Sequence, residues 1–341
     1  MNLSTISQNE EADWDDYILK SPQGSIYHLS NWKHLIKNVF GHETYLLTIK
    51  NNDNITAALP LVRLKSALFG DSLVSMPYFN YGGVIADSPE AETQLLDQAV
   101  QLAKELGVSH IEYRDTQPRE GMPVKADKIT MTLPLAPSHD EQWATFSSKL
   151  RAQIRRPMKE GVEIQSGSLD QLDDFYTVFS RNMRDLGTPV YPKQFFKEIL
   201  DRFSKNCHII VVRHQNQPIA AGFLIGYKNQ LEIPWASSLR EFNRISPNMA
   251  LYWESLKYAI DQGYTSFDFG RCSRGSGTYK FKKQWGAQEK PFYWHYWLKD
   301  GGPLPEINPK NPKYQFAIRA WQKLPLPIAN WLGPKIVKNI A

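Results

Sequence analysis

Apolar positions in the first part of the chain recur first at helical spacing and then at strand spacing. Residues 89–106 predict a helix because Pro89 stands at the start and Gly107 follows the end. The polar turn at 51–54 between two apolar runs predicts a hairpin. The helical patterns are 10–20, 29–40 and 89–106, and the strand patterns are 44–50, 55–64, 73–85, 108–113 and 128–135.

The second part repeats this order on a larger scale. Three strand patterns joined by short polar turns predict a meander, and Gly263 ends the amphipathic helix that follows them. The helical patterns are 140–156, 169–186, 192–203, 248–262 and 279–285. The strand patterns are 162–166, 208–213, 219–226, 231–237, 264–269 and 291–298.

Each half therefore predicts helices, then a β-meander, then a helix and further strands, which is an α/β (α+β) acyltransferase-type plan used twice. Pro134, Pro137 and Ser138 cluster at the junction, so we expect domains at 1–138 and 139–300. A Pro-rich tail at 301–341 follows. Its helical pattern at 314–323 has an apolar face, which predicts packing on the first domain.

Composition narrows the class of protein. The chain has 341 residues with a net charge of +5, a mild excess that fits an anionic substrate but does not indicate DNA binding. Two cysteines cannot form a disulfide framework, and the polar N-terminus does not match a signal peptide, so we expect a cytoplasmic protein. The histidines lack metal-ligand spacing, and the motifs of serine hydrolases and P-loop enzymes are missing, so no metal is expected.

The segment 267–286 carries the most informative chemistry. A strand brings Asp268 and Arg271 to a sheet edge, and a glycine-containing turn leads to a short helix with Lys280, Lys282 and Lys283. Because Lys280 and Lys283 are neighbours on one helix face, Lys282 points elsewhere. A lysine aimed into a cleft would stabilise an oxyanion or hold a phosphate, and a solvated basic turn is the alternative.

Weaker candidates lie earlier in the second half. Arg151, Arg155 and Lys159 share one face of a basic helix, where an anionic partner or solvent would relieve their repulsion. Trp235 lies on a strand that leads into the helix at 248–262, and Asn248 is the expected N-cap of that helix.

Four motifs in this order resemble FemAB-type proteins, and more narrowly the FemAB-related subgroup associated with exosortase and PEP-CTERM exopolysaccharide systems. They are the basic helix at 151–161, the helix start at 248–253, the strand end at 267–271 and the run at 279–286. The resemblance covers about residues 5–300. It implies two tandem GNAT-like domains, each with a mixed, mostly antiparallel sheet flanked by helices, and the transfer of an aminoacyl group from aminoacyl-tRNA to an amine of a peptidoglycan precursor.

The resemblance also implies roles for individual residues. Phe281 and Lys282 match the family's Phe-Lys pair, in which the lysine stabilises the transition state. Lys37 and Arg184 are the expected phosphate-binding residues, and Tyr191 is expected to line the same cleft. The candidate substrate-binding set is Lys37, Arg184, Tyr191, Trp235, Asn248, Asp268 and Arg271. The long helical hairpin that some members use as a tRNA-binding arm is not visible in the sequence.

Two other functions remain open. An acetyl-CoA-dependent acetyltransferase would need a glycine-containing loop for the pyrophosphate, but the corresponding segment 239–248 has no glycine, and Pro247 removes a donor. A non-catalytic protein could use the same cleft to hold a glycan or a peptide. The expected partners are an anionic cell-envelope precursor, charged tRNA and the inner membrane face, for a monomer with no bound cofactor.

Overall fold

The structure is a computed structural model that describes residue 6 and residues 8–305 and 312–340. The strands in this part of the chain are β1 (Thr44–Asn51), β2 (Asn54–Ser66), β3 (Gly70–Val74), β4 (Ile85–Ala86), β5 (His110–Asp115), β6 (Val124–Lys125), β7 (Lys128–Pro134), β8 (Val162–Gly167), β9 (Cys207–His214), β10 (Gln217–Tyr227), β11 (Gln230–Ser238), β12 (Ser266–Ser273), β13 (Gln288–Pro291) and β14 (Tyr293–Leu298). The α-helices are α1 (Glu11–Lys20), α2 (Asn31–Phe40), α3 (Pro89–Leu106), α4 (His139–Thr145), α5 (Ser148–Lys159), α6 (Leu172–Leu186), α7 (Lys193–Arg202), α8 (Pro247–Asp261), α9 (Gly277–Lys283), α10 (Pro312–Gln322) and α11 (Leu326–Val337).

The first of two compact units contains a mixed sheet with helices on both faces. Its strands follow the order β1-β2-β3-β5-β14-β6, and β4 pairs with β2. Neighbouring residues of β1 and β2 alternate between the faces, since Leu47 and Ala57 pack with α3 while Leu46 and Ala58 pack with α1. α3 has the bounds that its sequence predicts, because Ser88 caps its first turn and Gly107 adopts the left-handed conformation after its end.

The second unit contains a sheet in the order β13-β7-β12-β11-β10-β9-β8. One face of β9 and β10 packs with α5 and α8 in a cluster that includes Ile210 and Leu224. On the other face, Phe223 contacts Phe175 of α6 and Phe196 of α7, with ring centroids 5.5 and 5.6 Å apart. Two mixed sheets flanked by helices confirm the predicted α/β class.

The division between the units differs from the predicted boundary at 138/139. The first unit comprises Met1–Lys128, Pro291–Ile307 and Lys338–Ala341, and the second comprises Ile129–Lys290 and Asn308–Val337. β7 therefore belongs to the second sheet, whereas β14 pairs with β5 in the first sheet. The proline cluster at 134–138 follows β7 instead of preceding it, and a local turn signal cannot specify which sheet a neighbouring strand joins.

The tail also differs from its prediction. α10 and α11 both contact α6 of the second unit, whereas the sequence predicted that the helix at 314–323 packs on the first domain. A Cβ atom at Gly333 would lie 2.8 Å from the amide nitrogen of Val190, which shows how closely α11 approaches this unit. After α11, the carbonyl of Lys338 accepts hydrogen bonds from Tyr78 Oη at 2.6 Å and His42 Nε2 at 2.7 Å, and all three residues belong to the first unit. An apolar helix face shows that a helix packs, but not on which partner.

Substitution of Gly83 tests the packing of the first unit. A Cβ atom at this position would lie 2.1 Å from Asp115 Oδ1 and 2.8 Å from Asp115 Cα. The buried carboxylate cannot move aside, because it accepts hydrogen bonds from Val84, Arg119 and His295. We expect Gly83→Ala to lower the free energy of unfolding by about 1–3 kcal/mol in urea denaturation.

Gly302→Ala in the same unit is the matched control. Nothing lies within 4 Å of the Cβ atom that it adds, so we expect a change of no more than about 0.5 kcal/mol. Equal effects of the two substitutions would contradict the proposed close packing at Gly83.

Candidate active site

The end of β12 and the helix that follows it form the centre of the candidate site. β11 and β12 pair in parallel at Gln230–Ser266, Leu231–Phe267 and Glu232–Asp268, and both strands continue beyond the last of these pairs. Gly270 has φ of +74°, which bends β12 just after the paired segment. Ser276 then caps α9 by accepting a hydrogen bond from the amide of Tyr279, which turns the chain back toward the strand.

Lys282 points inward from α9, and only 4% of it is exposed. Its Nζ donates hydrogen bonds to the carbonyls of Gly270 at 2.6 Å and Arg271 at 3.0 Å, both on β12. Burial lowers the pKa of Lys282 below its ordinary value of 10.5, and the nearby Cys272 and Asp268 oppose this effect. This arrangement agrees with the prediction that Lys282 points away from Lys280 and Lys283, which are both exposed. A buried lysine with a lowered pKa is typical of functional sites.

Asp268 is fully buried beside this lysine. Its Oδ1 accepts hydrogen bonds from the hydroxyl of Thr130 and, at 2.7 Å, from the amide of Gly270. The second bond fixes the bend at Gly270, whose carbonyl in turn accepts from Lys282. The sequence suggested that Asp268 contacts the substrate directly. Its observed contacts instead favour a role in positioning Lys282.

The sequence interpretation missed two further buried groups near Lys282. Glu232 of β11 is buried and raises the pKa of Lys282, and Cys272 is buried on β12. Burial raises the pKa of the Cys272 thiol, although Lys282 opposes the shift. An acidic residue between Leu231 and Ile233 was a usable signal for Glu232, because a charge within an apolar strand needs a partner.

Phe281 forms part of the hydrophobic support of α9. Its ring centroid lies 4.9 Å from that of Tyr252 and 6.2 Å from that of Trp285. Trp285 is almost fully buried, so these contacts hold α9 against the core of the second unit. Phe281 itself is only partly buried, which leaves part of its ring accessible beside Lys282.

Tyr191 and Trp235 belong to a separate aromatic cluster of the second unit. Their ring centroids lie 6.2 Å apart, and the ring of Trp235 lies 5.1 Å from that of Phe196. The carbonyl of Tyr191 accepts a hydrogen bond from Tyr176 Oη at 3.0 Å. Trp235 is on β11 beyond Glu232, so strand β11 links this cluster to the surroundings of Lys282.

Arg184 is engaged by the protein itself. Its Nε donates to Asp185 at 2.6 Å, and its Nη1 donates to the carbonyl of Leu324 at 3.0 Å, between the two tail helices. Since its Nε is bonded within α6 and its Nη1 is bonded to the tail, a phosphate contact by Arg184 would have to compete with these bonds. Arg184 therefore anchors the tail in this structure.

The remaining predicted residues lie at more accessible positions. Lys37 is exposed on α2 of the first unit, and Arg271 is exposed on β12. Asn248 is half-buried in the first turn of α8, but the helix begins at Pro247, so Ser246 occupies the N-cap position predicted for Asn248. The basic helix predicted around Arg151–Lys159 is α5, in which the guanidinium carbon of Arg155 lies 5.1 Å from the centroid of the Trp143 ring.

Each unit has a cavity of its own. The cavity of the second unit, about 550 Å³, is lined by residues that include Phe146, Lys283 and Trp285 but not Lys282. The cavity of the first unit, about 110 Å³, is lined by residues that include His28 and Asp115. Neither cavity contains the candidate lysine, so the site is assigned on its chemistry instead of on cavity size.

The described ranges, residue 6 and residues 8–305 and 312–340, hold neither a metal-binding cluster nor a membrane-spanning helix. They contain no cluster of three or more His, Cys, Asp or Glu side chains that could hold a metal ion. None of their helices combines the length and the apolar character that a membrane span requires.

Removing the Asp268 carboxylate tests its positioning role. Asp268→Ala would leave the Thr130 hydroxyl and the Gly270 amide without their buried acceptor, so we expect the free energy of unfolding to fall by about 2–4 kcal/mol. Glu163→Ala, at an exposed acidic position of the same unit, should change it by no more than about 0.5 kcal/mol. Urea denaturation measures both, and a small loss for Asp268→Ala would contradict the assigned contacts.

Comparison with known proteins supports the fold assignment. The model of the acetyltransferase (GNAT) domain family matches residues 147–283, a segment that ends just after Lys282. The chain is also 25% identical over 142 residues to the UDP-N-acetylmuramoylpentapeptide-lysine N(6)-alanyltransferase of Weissella viridescens. That match spans 40% of this chain and 42% of the relative.

Solved structures match over most of the chain. FemX superimposes with a TM-score of 0.64 at 16% identity, over 86% of this chain and 97% of FemX. L-PGS from Bacillus licheniformis superimposes with a TM-score of 0.55 at 13% identity, over 95% of this chain and 99% of L-PGS. A tandem GNAT protein from the clavulanic acid biosynthesis pathway superimposes with a TM-score of 0.54 at 9% identity, over 89% of this chain and 99% of that protein. With two mixed α/β units and these matches, the chain has a tandem GNAT fold.

Proposed function

We propose that the protein is an aminoacyltransferase that moves an aminoacyl group from aminoacyl-tRNA onto an amine of a peptidoglycan precursor. The observation that carries this proposal is the buried ammonium group of Lys282 at the bend of β12, inside the segment that matches the GNAT family. The similarity to the alanyltransferase of W. viridescens supports the substrate class. An exopolysaccharide-related acceptor, as in exosortase systems, stays a prediction from the resemblance.

The contacts of Lys282 define the catalytic role that we propose for it. An ammonium group has three N–H donors, and two of them point to the carbonyls of Gly270 and Arg271. The third can donate to a substrate oxygen. A fixed donor in a dry environment stabilises a developing oxyanion more strongly than a donor in water does.

The reaction then proceeds by direct attack. The neutral amine of the acceptor forms a C–N bond to the ester carbonyl carbon, and the carbonyl oxygen takes the negative charge, which Lys282 stabilises. The C–O bond to the tRNA ribose breaks as the carbonyl re-forms, and the proton lost by the amine ends on the ribose oxygen. A covalent intermediate on Cys272 is disfavoured, because burial raises the pKa of its thiol and so disfavours the thiolate.

The start of α8 argues against acetyl-CoA as the donor. In a GNAT fold the helix after the split strand offers its N-terminal amides to the pyrophosphate. Here Pro247 has no amide proton, and the amide of Met249 already donates to the carbonyl of Ser246 at 3.0 Å. This helix start therefore offers fewer donors than a pyrophosphate site requires.

Replacing Lys282 tests the proposed catalysis. With alanyl-tRNA and UDP-N-acetylmuramoyl pentapeptide as substrates, mass spectrometry of the acceptor measures the transfer. We expect Lys282→Ala to lower kcat by about 100-fold with little change in KM, because the lost donor acts on the transition state. Lys283→Ala, which removes the exposed neighbour, should retain most of the activity.

Three other results would overturn the assignment. Unchanged transfer by Lys282→Ala would remove its catalytic role, and transfer from acetyl-CoA alone would replace the donor. Binding of the precursor without turnover by the wild-type protein would favour the non-catalytic glycan- or peptide-binding function.

The lowered pKa of Lys282 predicts how the rate depends on pH. Only the ammonium form carries the positive charge, so its contribution is lost as the pH rises through the folded-state pKa, which lies below 10.5. Lys282→Arg keeps its charge over this range. The activity of Lys282→Arg relative to the wild type should therefore increase with pH, and a constant ratio from neutral pH upward would contradict the role of the ammonium charge.

A further inference from the structure

The positive charge of the chain is concentrated in its tail. Residues 307–341 contain no Asp or Glu, and their basic residues are Lys310, Lys313, Arg319, Lys323, Lys335 and Lys338. The whole chain has 40 basic and 35 acidic residues, so the part before residue 307 has 34 against 35 and is close to neutral. The net charge of the protein therefore comes from this segment.

The same segment exposes large apolar side chains. On α11, Ile328, Trp331 and Lys335 lie on one outward face at helical spacing, and Trp331 is 64% exposed. The opposite face carries the buried residues Ala329, Gly333 and Val337. The helix thus uses its small residues for packing and leaves its largest apolar residue outside.

α10 has a similar outward face. Phe316 is 76% exposed, and Arg319 and Lys323 are exposed three and seven positions later. Trp321 is buried and faces the protein. On α11 the Nζ of Lys335 lies 3.5 Å over the ring of Trp331, so an apolar ring and a cation are already combined at this surface.

We propose that the outward faces of α10 and α11 dock on a lipid bilayer that contains anionic lipids. Exposed aromatic and aliphatic side chains next to lysine and arginine, without acidic residues, are the features by which interfacial helices bind such membranes. Phe316, Ile328 and Trp331 enter the boundary between headgroups and acyl chains. Arg319, Lys323 and Lys335 contact the lipid phosphates.

A bilayer fits this surface better than a nucleic acid does. Ile328 and the exposed Pro327 have no planar face on which a base could stack, whereas both add to apolar burial in a membrane. The proposal concerns where the protein works and does not depend on the reaction proposed above.

Vesicle flotation with the 341-residue protein tests the proposal. One set of vesicles contains phosphatidylcholine alone, and the other contains about one third phosphatidylglycerol. We expect the protein to float with the anionic vesicles only, and to dissociate from them in about 0.5 M NaCl because salt screens the charges.

Two groups of variants separate the apolar and charged contributions. Phe316→Ser/Ile328→Ser/Trp331→Ser should lower the partition coefficient by about tenfold or more, while Leu68→Ser, at an exposed apolar position of the first unit, should leave it unchanged. Arg319→Gln/Lys323→Gln/Lys335→Gln should have a similar effect, because each cation near an anionic surface contributes about fivefold. Lys104→Gln/Lys205→Gln/Lys299→Gln removes three exposed charges outside the tail and is the control for net charge.

The outcomes decide the proposal. Circular dichroism and the thermal midpoint establish whether each variant is folded. If the apolar variant does not fold, the charge variant still tests the proposal. No flotation of the wild type, or equal losses in the tail and control variants, would overturn it. Binding of the tail surface to tRNA without binding to vesicles would also overturn it and would assign the surface to a nucleic acid.

Discussion

The buried ammonium group of Lys282 is the constraint on which the candidate site depends. An ammonium group loses much of its solvation when it is removed from water, so the protein must supply acceptors around it. The carbonyls of Gly270 and Arg271 do this directly, and the charges of Asp268 and Glu232 favour the cation from a greater distance. The bend of β12 brings the two carbonyls to the lysine, so the backbone conformation of Gly270 and the charge of Lys282 support each other.

The two units share a sheet plan but differ in how each places a buried cation beside its pair of parallel strands. In the first unit β3 and β5 pair in parallel, as β11 and β12 do in the second. The Arg114 guanidinium of β5 donates to the carbonyls of Met76 and Phe79 and lies 4.4 Å over the ring of Trp294. In the first unit a buried cation on the strand thus holds a loop in which Met76 and Tyr78 have positive φ values. In the second unit the buried cation is Lys282, which lies on the helix after the strand and holds the bend at Gly270.

Much of the fold could be predicted from the sequence where the signals are local. The bounds of α3 follow from Ser88, Pro89 and Gly107, which act on adjacent residues. The hairpin of β1 and β2 follows from its polar turn, and the inward direction of Lys282 follows from helical spacing. The functions of Asp268 and Arg184 could not be predicted in the same way, because their partners Thr130 and Leu324 are more than a hundred positions away in the sequence.

The sequence by itself determined most of the helices and strands and the residues that could carry chemistry, because capping, turn geometry and periodicity depend on a few neighbouring residues. It did not predict α11, and the strand predicted at 73–85 is a strand only near its two ends, in β3 and β4. Only the tertiary structure decided that β14 joins the first sheet, that the tail helices pack on α6, and that Glu232 and Cys272 come close enough to Lys282 to affect its pKa. Strand partners and the solvation of a charge depend on which distant segments come together. That choice is made by the packing of the whole chain, and no single stretch of sequence contains it.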